Sequence, residues 1–269
     1  MSPRLTNLLW IPVNGLQALW LAGFTALVFI PSLLPALVAG NREASFTFGR
    51  AFWAPVNLRL GLSTLTVEGR EHLPAPGVPC VVMMNHQSMI DIIISWMVID
   101  TGPRFVGKRV LGLIPIIGWF CHLMGMLMID RSNRARAIAS LKKANTVLNN
   151  GRMIVCFPEG TRTQDGLIMP FKKGVFMVAL ETGAPIVPVA LEGCATMVPL
   201  TGWRPRPAAV RAKIGAPINT IGVDRDALIE KVRNAIIDLN VEIGGRGGNK
   251  STPIAPQHDA HEHSEQATA

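Results

Sequence analysis

An uncharged, largely apolar run near the N-terminus is the feature that most constrains how this chain can fold. No Asp, Glu, Lys or Arg occurs from Leu5 to Asn41, and the middle of the run reads LQALWLAGFTALVFIPSLLPALVAG. A single helix needs about 20 apolar residues to cross the ~30 Å hydrocarbon core of a bilayer, and this run is longer. A cleavable signal peptide would need a shorter apolar core and a more basic start than Arg4 alone provides. We therefore expect residues 1–60 to anchor the chain in a membrane.

The sequence leaves the shape of this anchor open. Proline breaks helices, so the run could span the bilayer or dip into it and return, because it contains Pro12, Pro31 and Pro35. The next segment, REASFTFGRAFWAPVNLRLGL, has apolar and aromatic residues at helical spacing with arginines among them. It is typical either of a helix in the membrane interface, with Phe52 and Trp53 towards lipid, or of an ordinary helix covering a domain core. We expect a helix pair near residues 5–60 whose second helix lies partly in the interface.

The composition limits the partners. With 269 residues the chain is long enough for one large α/β domain and a small appendage. Hydrophobic residues make up 49% of it and charged residues 16%, which is unusually apolar for a soluble protein. The formal net charge of +8 implies an acidic partner: nucleic acid, anionic lipid or a phosphorylated substrate. No Lys/Arg-rich run is interleaved with aromatics and Tyr is absent, which argues against nucleic acid. The cysteines form no CxxC pair, so we expect no metal site and a reducing, cytosolic compartment.

From Gly61 onwards the chain has the pattern of a globular α/β domain. The predicted strands are LTVEG, CVVMMN, RFVGK, GMLMIDR, RMIVCFPEG, PIVPVAL and AAVRAKIG. The predicted helices are DIIISWMVI, ARAIASLKKANTVLNN with Ser132 or Asn133 as its cap, KKGVFMVALET ending at Gly183, and one from Asp224 to about Ile243. This alternation indicates a mostly parallel central sheet flanked by helices. We expect the domain to cover residues 61–243, and the tail 244–269, which has no apolar periodicity, to be disordered.

The stretch VMMNHQSMID places polar residues at the end of a predicted buried strand. Histidine is the side chain best matched to accept a proton near neutral pH, and His86 stands five positions before Asp91. If the chain turns from strand into helix here, Asp91 can hold one ring nitrogen of His86 and leave the other free as a base. The alternative is that His86 caps the helix and Asp91 occupies its first turn, where a carboxylate is favoured anyway.

The stretch FPEGTR follows another predicted strand. Gly160 would let the backbone approach a ligand closely, and Arg162 offers a planar fork that suits phosphate, while Glu159 could position Arg162 or a substrate group. The alternative is a charged surface turn with an internal Glu–Arg pair. Ligands of parallel sheets bind beyond the carboxyl ends of the strands, where both polar motifs lie. Further cations could complete an anion-binding site there: Lys108, Arg109, Lys172 and Lys173.

Motifs of several other enzyme classes are missing. No G-x-S-x-G elbow surrounds a serine, which argues against a hydrolase nucleophile. No G-x-x-x-x-G-K-[ST] loop and no convincing G-x-G-x-x-G after a strand is present, so no nucleotide cofactor is expected. The histidines of the tail form a metal-binding tract or belong to an unstructured polar tail, and we favour the latter: His258, His261 and His263.

Four blocks of the sequence together resemble the glycerolipid acyltransferase family. NHQSMID resembles the NHxxxxD signature of that family, and FPEGTRT resembles its FPEGTRS block, with Thr163 in place of the usual Ser. KRVLGLIPIIGWFCHLMGMLMIDR is similar to the intervening block and PIVPVAL to the fourth, in the order of the family and over roughly residues 60–220. Within the family the resemblance is to the bacterial lysophosphatidic acid acyltransferases (1-acyl-sn-glycerol-3-phosphate acyltransferases) of the PlsC type.

The resemblance implies an enzyme that moves a fatty acyl group from acyl-CoA or acyl-carrier protein to the sn-2 hydroxyl of lysophosphatidic acid, giving phosphatidic acid without a cofactor. It implies that His86 is the general base and Asp91 its partner. The site for the acceptor phosphate would be drawn from Glu159, Gly160, Thr161, Arg162, Lys108 and Arg131. The apolar LIPIIGWF segment would help to line the acyl-chain site.

Two alternatives remain at this point. The acceptor could be another lyso-lipid, such as lyso-ornithine lipid or a lysophospholipid, or the chain could be a non-catalytic lipid-binding protein of the membrane. Because the acyl donor is water-soluble and cytosolic, we expect the catalytic domain on the cytoplasmic face of the inner membrane. The arginines just after the apolar run agree with the excess of positive residues on cytoplasmic flanks: Arg42, Arg50 and Arg59.

Overall fold

The domain is built on one seven-stranded sheet with helices on both faces. The structure, a computed structural model, describes residues 3–114, 117–129, 134–200 and 205–249. The strands are β1 Thr64–Glu68, β2 Val81–Met84, β3 Arg104–Lys108, β4 Leu127–Ile129, β5 Ile154–Cys156, β6 Ile186–Glu192 and β7 Ala209–Ile214. Their order across the sheet is β1-β7-β6-β2-β5-β3-β4. All neighbours pair in parallel except β6 and β7, so the prediction of a mostly parallel sheet is confirmed.

Helices cover the sheet. They are α1 Pro3–Ala39, α2 Arg42–Phe48, α3 Ala54–Leu60, α4 Asp91–Val98, α5 Ile117–Leu123, α6 Arg134–Asn149, α7 Gly174–Thr182, α8 Cys194–Met197 and α9 Arg225–Glu242. Two of their ends follow the sequence signals. Asp224 caps α9 by accepting hydrogen bonds from the backbone N–H groups of Asp226 and Ala227. Gly183 ends α7 in the left-handed conformation that glycine adopts without strain. The predicted caps Ser132 and Asn133 lie outside the described residues.

Strand β2 lies at the centre of the domain and joins its two hydrophobic cores. Val82 and Met84 face one core, which α1 to α5 cover, whereas Val81 and Met83 face the other, beneath α6, α7 and α9. This alternation is the ordinary two-residue period of a strand. All four side chains are fully buried, which explains the continuous apolar run. The loop after Met84 therefore starts from a fully buried strand at the centre of the sheet.

The N-terminal run forms one helix. α1 continues for 37 residues through Pro12, Pro31 and Pro35, so the prediction that these prolines interrupt the helix is wrong. Each proline removes one backbone donor, but the φ angle that its ring fixes is itself helical. Among the described residues α1 is the one helix long and apolar enough to cross a membrane, in the window Ile11–Val28, and most side chains of that window are not buried. A membrane span there stays a prediction.

The second helical segment, residues 42–60, consists of α2, a π-helical turn at Gly49–Trp53, and α3. One side of it covers the domain core: Trp53 and Leu58 are buried, and the ring of Trp53 contacts that of Trp96 at 5.6 Å between centroids. On the other side Phe52 is 54% exposed. Trp53 therefore belongs to a helix that covers the domain core, whereas contact of Phe52 with the membrane interface stays a prediction.

Residues just beyond the expected end of the domain are hydrogen-bonded to it. The composition of residues 244–249 predicts disorder, yet the N–H of Gly247 donates to the side chain of Asn240, and the N–H of Ile168 donates to the carbonyl of Gly247. The ordered part of the chain thus extends at least to Asn249. Residues 250–269, with the histidines of the tail, lie outside the described residues.

Candidate active site

The two polar motifs meet at the carboxyl edge of the sheet. Met83 of β2 pairs with Cys156 of β5, and counting onwards in this register places His86 beside Glu159. Phe105 of β3 pairs with Val155, which places Lys108 level with Pro158. The carboxyl ends of three parallel strands coincide, so His86, Glu159 and Lys108 lie at the same edge of the sheet.

His86 and Asp91 form a hydrogen-bonded pair. Nδ1 of His86 lies 2.7 Å from Oδ2 of Asp91, and the same oxygen accepts the backbone N–H groups of Gln87 at 2.7 Å and Ser88 at 2.8 Å. Asp91 is fully buried at the first residue of α4, where the helix dipole favours a negative charge. Asp91 therefore occupies the first turn of the helix and also bonds the histidine ring, whereas the alternative that His86 caps the helix is wrong, since the N-cap residue is Ile90.

The geometry leaves the second ring nitrogen of His86 available. Asp91 accepts from Nδ1–H, so the neutral imidazole carries its lone pair on Nε2. The ring stacks on Phe157, with centroids 4.2 Å apart and planes 20° apart, and 18% of the histidine side chain is exposed. In the described part of the chain no hydrogen bond occupies Nε2. The imidazole is held on one face and by one nitrogen, with the other nitrogen positioned to accept a proton.

The other polar residues of this loop hold it in place. The amide of Asn85 donates to the carbonyl of Leu191 at 3.0 Å and accepts its N–H at 2.7 Å, which continues the pairing of β2 with β6 through a side chain. Ser88 donates to the carbonyl of Val198 at 2.6 Å. Gln87 donates to the carboxylate of Glu192 at 2.8 Å. Sequence reasoning missed these bonds, although buried polar groups beside an apolar strand must find partners.

Cys194 is a further neighbour of Asp91 that sequence reasoning missed. The thiol is fully buried at the start of α8. Burial raises the pKa of Cys194 well above its ordinary value, and the charge of Asp91 and a hydrogen bond to its carboxylate raise it further. The group therefore stays a neutral S–H beside the carboxylate of Asp91. No motif in the sequence around Cys194 predicts this contact.

Glu159 bonds the backbone of the polar loop that follows β2. Its Oε1 accepts the N–H of His86 at 2.7 Å and its Oε2 accepts the N–H of Met169 at 3.1 Å, while only 2% of the residue is exposed. Burial raises the pKa of Glu159 to about 7, even though both backbone donors act in the opposite direction. No described ion pair joins Glu159 to Arg162. This geometry favours a positioning function for Glu159 over the expected contact with phosphate.

The turn after Glu159, which carries Arg162, is bonded to the backbone of the histidine. Gly160 adopts φ +76°, which an L side chain rarely tolerates. Its N–H donates to the carbonyl of Phe157 at 3.0 Å and closes the turn. The N–H of Thr163 then donates to the carbonyl of His86 at 2.9 Å. Thr161 is exposed and Arg162 is half-buried at the tip of this turn. In the described part of the chain the guanidinium of Arg162 has no recorded hydrogen bond or ion pair, so it is available to an anion.

Of the other lysine and arginine side chains predicted to bind an anion, only some lie at this edge of the sheet. Lys108 is exposed at the end of β3, on the same edge of the sheet. The backbone N–H of Lys172 donates to the carbonyl of Pro158 at 2.8 Å, whereas the ammonium of Lys173 pairs with Asp226 at 3.3 Å and is directed elsewhere. Arg131 lies outside the described residues. Among the described residues no group of three or more His, Cys, Asp or Glu side chains is arranged to hold a metal ion.

A cavity of about 290 Å³ lies away from this chemistry. Its walls include Arg50, Asp100 and Arg152, and it opens beside residues 101–103 and 151–153, which precede β3 and β5. It is therefore at the amino end of the parallel strands, opposite His86. Charged groups of the cavity wall pair with each other, since Arg50 lies 2.9 Å from Asp100. We do not assign the acceptor to this cavity.

Comparison with known proteins gives one consistent result. A sequence model of the family described as Acyltransferase matches residues 64–192. The 1-acyl-sn-glycerol-3-phosphate acyltransferase of Saccharomyces cerevisiae is 35% identical over 90% of this chain and 81% of its own length. The human 1-acyl-sn-glycerol-3-phosphate acyltransferase alpha is 32% identical over 68% of this chain, which spans 66% of the human protein. The crystal structure of the 1-acyl-sn-glycerophosphate (LPA) acyltransferase PlsC from Thermotoga maritima matches with a TM-score of 0.72 at 27% identity, covering 87% of this chain and 95% of that one.

Proposed function

The chain belongs to the acyltransferase family, and from this premise we propose that it transfers a fatty acyl group to the sn-2 hydroxyl of lysophosphatidic acid and forms phosphatidic acid. The observation that carries the proposal is the pair of His86 and Asp91, with Nε2 of the histidine unoccupied beside the turn that presents Arg162. The acyl donor is a thioester, either acyl-CoA or acyl-carrier protein. The names of the relatives support the acceptor, and the motif and geometry support the chemistry.

His86 acts as the general base in this proposal. Its Nε2 removes the proton of the acceptor hydroxyl while the hydroxyl oxygen attacks the carbonyl carbon of the thioester. The new C–O bond forms, the C–S bond breaks, and the thiolate leaving group takes the proton back from the imidazolium. The products are phosphatidic acid and the free thiol of the donor. Assistance by a positioned base typically contributes about 10²–10⁴-fold to such a step.

Asp91 keeps the imidazole in the reactive state. Its bond to Nδ1 selects the tautomer with a free Nε2, and its negative charge stabilises the imidazolium that forms during attack. Glu159 and Thr163 hold the backbone of His86 from both sides, through its N–H and its carbonyl. A base that is fixed in this way loses little entropy when the acceptor binds.

Arg162 binds the phosphate of the acceptor in this proposal. A guanidinium can form two parallel hydrogen bonds to phosphate oxygens, Thr161 can add a backbone or hydroxyl donor from the same turn, and Gly160 lets the backbone approach the phosphate closely. Lys108 approaches from the neighbouring strand, and Arg131 follows the strand beyond it in the sequence. Holding the phosphate at this turn would place the glycerol hydroxyl near His86, since Thr163 of the turn bonds the carbonyl of His86.

A lipid acceptor also explains the N-terminal part of the chain. We propose that α1 inserts into the inner membrane and that the catalytic domain faces the cytoplasm, where the water-soluble donor is found. Exposed apolar side chains on α1, such as Leu16 and Leu19, support this arrangement. Arg42 and Arg59 supply positive charge on the proposed cytoplasmic side, whereas Arg50 is paired with Asp100.

An acyl-transfer assay over a panel of acceptors tests the proposal. Lysophosphatidic acid, lyso-ornithine lipid and zwitterionic lysophospholipids would each be presented in mixed micelles with acyl-CoA or acyl-carrier protein. We expect lysophosphatidic acid to give the highest kcat/KM, because its phosphate monoester is the best partner for Arg162. A higher kcat/KM for another lyso-lipid would replace the acceptor but keep the chemistry. Lipid binding without release of free thiol would overturn the proposal in favour of a binding protein.

A further inference from the structure

Residues 244–249, which we call the C-terminal strap, form hydrogen bonds to α9 and to the loop that follows Arg162. The sequence of the strap, GGRGGN, predicts disorder, yet the strap lies between α9 and the loop that follows the Arg162 turn. The N–H of Gly247 donates to Oδ1 of Asn240 at 2.9 Å, and the carbonyl of Gly247 accepts the N–H of Ile168 at 2.8 Å. One residue of the strap thus joins the last turns of α9 to the loop.

Arg233 of α9 ties the same loop to the end of the strap. Its guanidinium donates to the carbonyl of Ile168 at 2.8 Å, to that of Met169 at 3.1 Å and to that of Asn249 at 2.6 Å. The residue is only 8% exposed. A buried arginine whose fork is used on backbone carbonyls fixes the direction of those chain segments. Arg233 therefore acts as a link between loop and strap.

The contacts continue from this link to His86. Met169, whose carbonyl accepts from Arg233, donates its own N–H to Oε2 of Glu159, and Oε1 of Glu159 accepts the N–H of His86. Every contact on this route is a hydrogen bond between buried or half-buried groups. Displacing the strap would remove the bonds from Arg233 to Asn249 and from Ile168 to Gly247, and the loop that carries Met169 would then support the histidine backbone less firmly.

A second route runs through the Arg162 turn itself. Arg246 of the strap donates to the carbonyl of Asp165, and the carboxylate of Asp165 accepts the hydroxyl of Thr163 at 2.9 Å. The N–H of Thr163 donates to the carbonyl of His86 at 2.9 Å. Arg162 lies next to Thr163 along the chain, so the position of its backbone depends on these bonds. Asn240 adds a third route, since its side chain also donates to the carbonyl of Leu191, which Asn85 bonds.

Close approach explains the glycine content of the strap. A Cβ atom added to Gly245 would lie 2.2 Å from Oδ1 of Asn240, and one added to Gly247 would lie 2.7 Å from a methyl group of Val241. Gly247 also has φ +63°, where side chains are strained. The composition that is typical of disorder is required here because the backbone packs directly against α9.

We propose that the C-terminal strap and Arg233 are positioning elements for the turn that binds the acceptor phosphate. They touch neither substrate, and they act by limiting the movement of residues 160–169 relative to His86. The proposal rests on the proposed function for its assignment of Arg162 to the acceptor. Loss of the strap would lower the fraction of time in which Arg162 is correctly placed, so the acceptor KM would rise while the donor KM stays nearly constant.

Two truncated proteins test this proposal. One ends at Ile243 and lacks the strap, whereas its matched control ends at Asn249 and lacks only residues 250–269. We expect the protein ending at Ile243 to show an acceptor KM raised roughly 5-fold, as is typical for coupling through a packed network, and a donor KM within about 2-fold of that of the full chain. Hydrogen exchange should be faster at the amides of residues 163, 168 and 169. The protein ending at Asn249 should match the full chain in all three measurements.

Arg233→Lys provides a second test if the shorter truncation does not fold. It keeps the charge but loses the fork that joins Ile168 to Asn249, and we expect a raised acceptor KM with faster exchange in the same loop. Arg225→Lys is the control, because Arg225 lies on the same helix and bonds Asp226. Its kinetic constants should stay those of the wild type.

The outcomes separate the strap from the proposed function. An unchanged acceptor KM in the strap variants, in an enzyme whose Arg162→Lys variant has a raised acceptor KM, overturns the strap proposal and leaves the function standing. Equal rises in both KM values, or losses that follow the folded fraction in thermal melts, overturn it as well, because they indicate general structural support. If Arg162→Lys itself leaves the acceptor KM unchanged, the proposed assignment of Arg162 to the acceptor phosphate fails, and exchange at residues 163–169 alone decides whether the strap holds the loop.

Discussion

Oε1 of Glu159 lies 2.7 Å from the backbone nitrogen of His86 and accepts its hydrogen bond, so a carboxylate of one motif holds the main chain of the other. The two residues are 73 positions apart in the sequence and come from neighbouring parallel strands. The polar loop after β2 and the Pro-Glu-Gly turn after β5 therefore form a single structure. Its rigidity depends on a buried ionisable group.

The buried carboxyl of Glu159 makes the stability of the protein depend on pH. Burial raises its pKa from 4.5 to about 7 in the folded state, so the folded protein binds more protons than the unfolded chain between these values. The contribution of Glu159 to stability is then fully present below pH 4.5 and decreases as the pH rises to about 7, by about 3 kcal/mol. Denaturant unfolding in detergent at several pH values measures this directly.

Glu159→Gln is the variant that isolates this effect, because its side chain does not titrate. The difference in unfolding free energy between wild type and variant should decrease from pH 4.5 to 7, whereas the matched surface variant Glu71→Gln should show no such trend. Parallel pH profiles for the wild type and Glu159→Gln would contradict the assignment of the raised pKa to this residue.

Arg162→Lys should affect one substrate more than the other. The lysine keeps the charge but loses the bidentate fork, so the acceptor KM should rise by about 10-fold while the donor KM changes little. Arg211→Lys, a substitution on strand β7, serves as the matched control. Equal increases in the two KM values would show that Arg162 supports the fold or binds the donor instead.

Acidic substitutions on α1 test the membrane contact. Leu16 and Leu19 are 69% and 73% exposed, and an Asp at the centre of a membrane helix costs roughly 2.5–3.5 kcal/mol. The double variant Leu16→Asp/Leu19→Asp should therefore float less with anionic vesicles and lose activity on bilayer-presented acceptor more than on dispersed short-chain acceptor. Deleting residues 1–60 is less informative, because Trp53 and Leu58 belong to the domain core.

The control for the membrane experiment is Ile221→Asp, which changes a side chain that is 71% exposed and lies outside α1. It should float as the wild type does. If the double variant on α1 also floats like the wild type, the chain is anchored through another surface.

The sequence was sufficient to predict what depends on local pattern. The run CVVMM predicts a buried strand, and the five-residue spacing of His86 and Asp91 predicts that the two side chains meet, because a strand that turns into a helix brings these positions together. The carboxyl ends of parallel strands coincide, so the meeting of the two motifs also followed from the pattern of strands and helices.

What escaped prediction depends on contacts between distant parts of the chain. The bond from Glu159 to the backbone of His86 leaves no periodic trace in the sequence. The glycines around Gly247 have the composition of a disordered tail, and only the close packing against α9 shows why they are there. Pro31 inside α1 is a similar case, since local propensity predicts a break that the helix does not show.

Asp91→Asn should reduce turnover less than loss of the base itself. The amide oxygen can still accept the backbone N–H groups of Gln87 and Ser88, but the charge that stabilises the imidazolium is lost. We expect kcat to fall by at least about 10-fold while the acceptor KM stays near its wild-type value. A large rise in the acceptor KM with constant kcat would place Asp91 in substrate binding instead.

The turnover number of His86→Ala is the measurement that tests the central claim most directly. The account predicts that kcat for acyl transfer to lysophosphatidic acid falls by at least about 10²-fold, while the thermal melt and the binding of acceptor vesicles remain those of the wild type. His72→Gln, which changes a histidine bonded to the carbonyl of Ile214, should retain wild-type turnover. Wild-type-like kcat in a folded His86→Ala protein would contradict the account, because the proposed base would then not take part in the reaction.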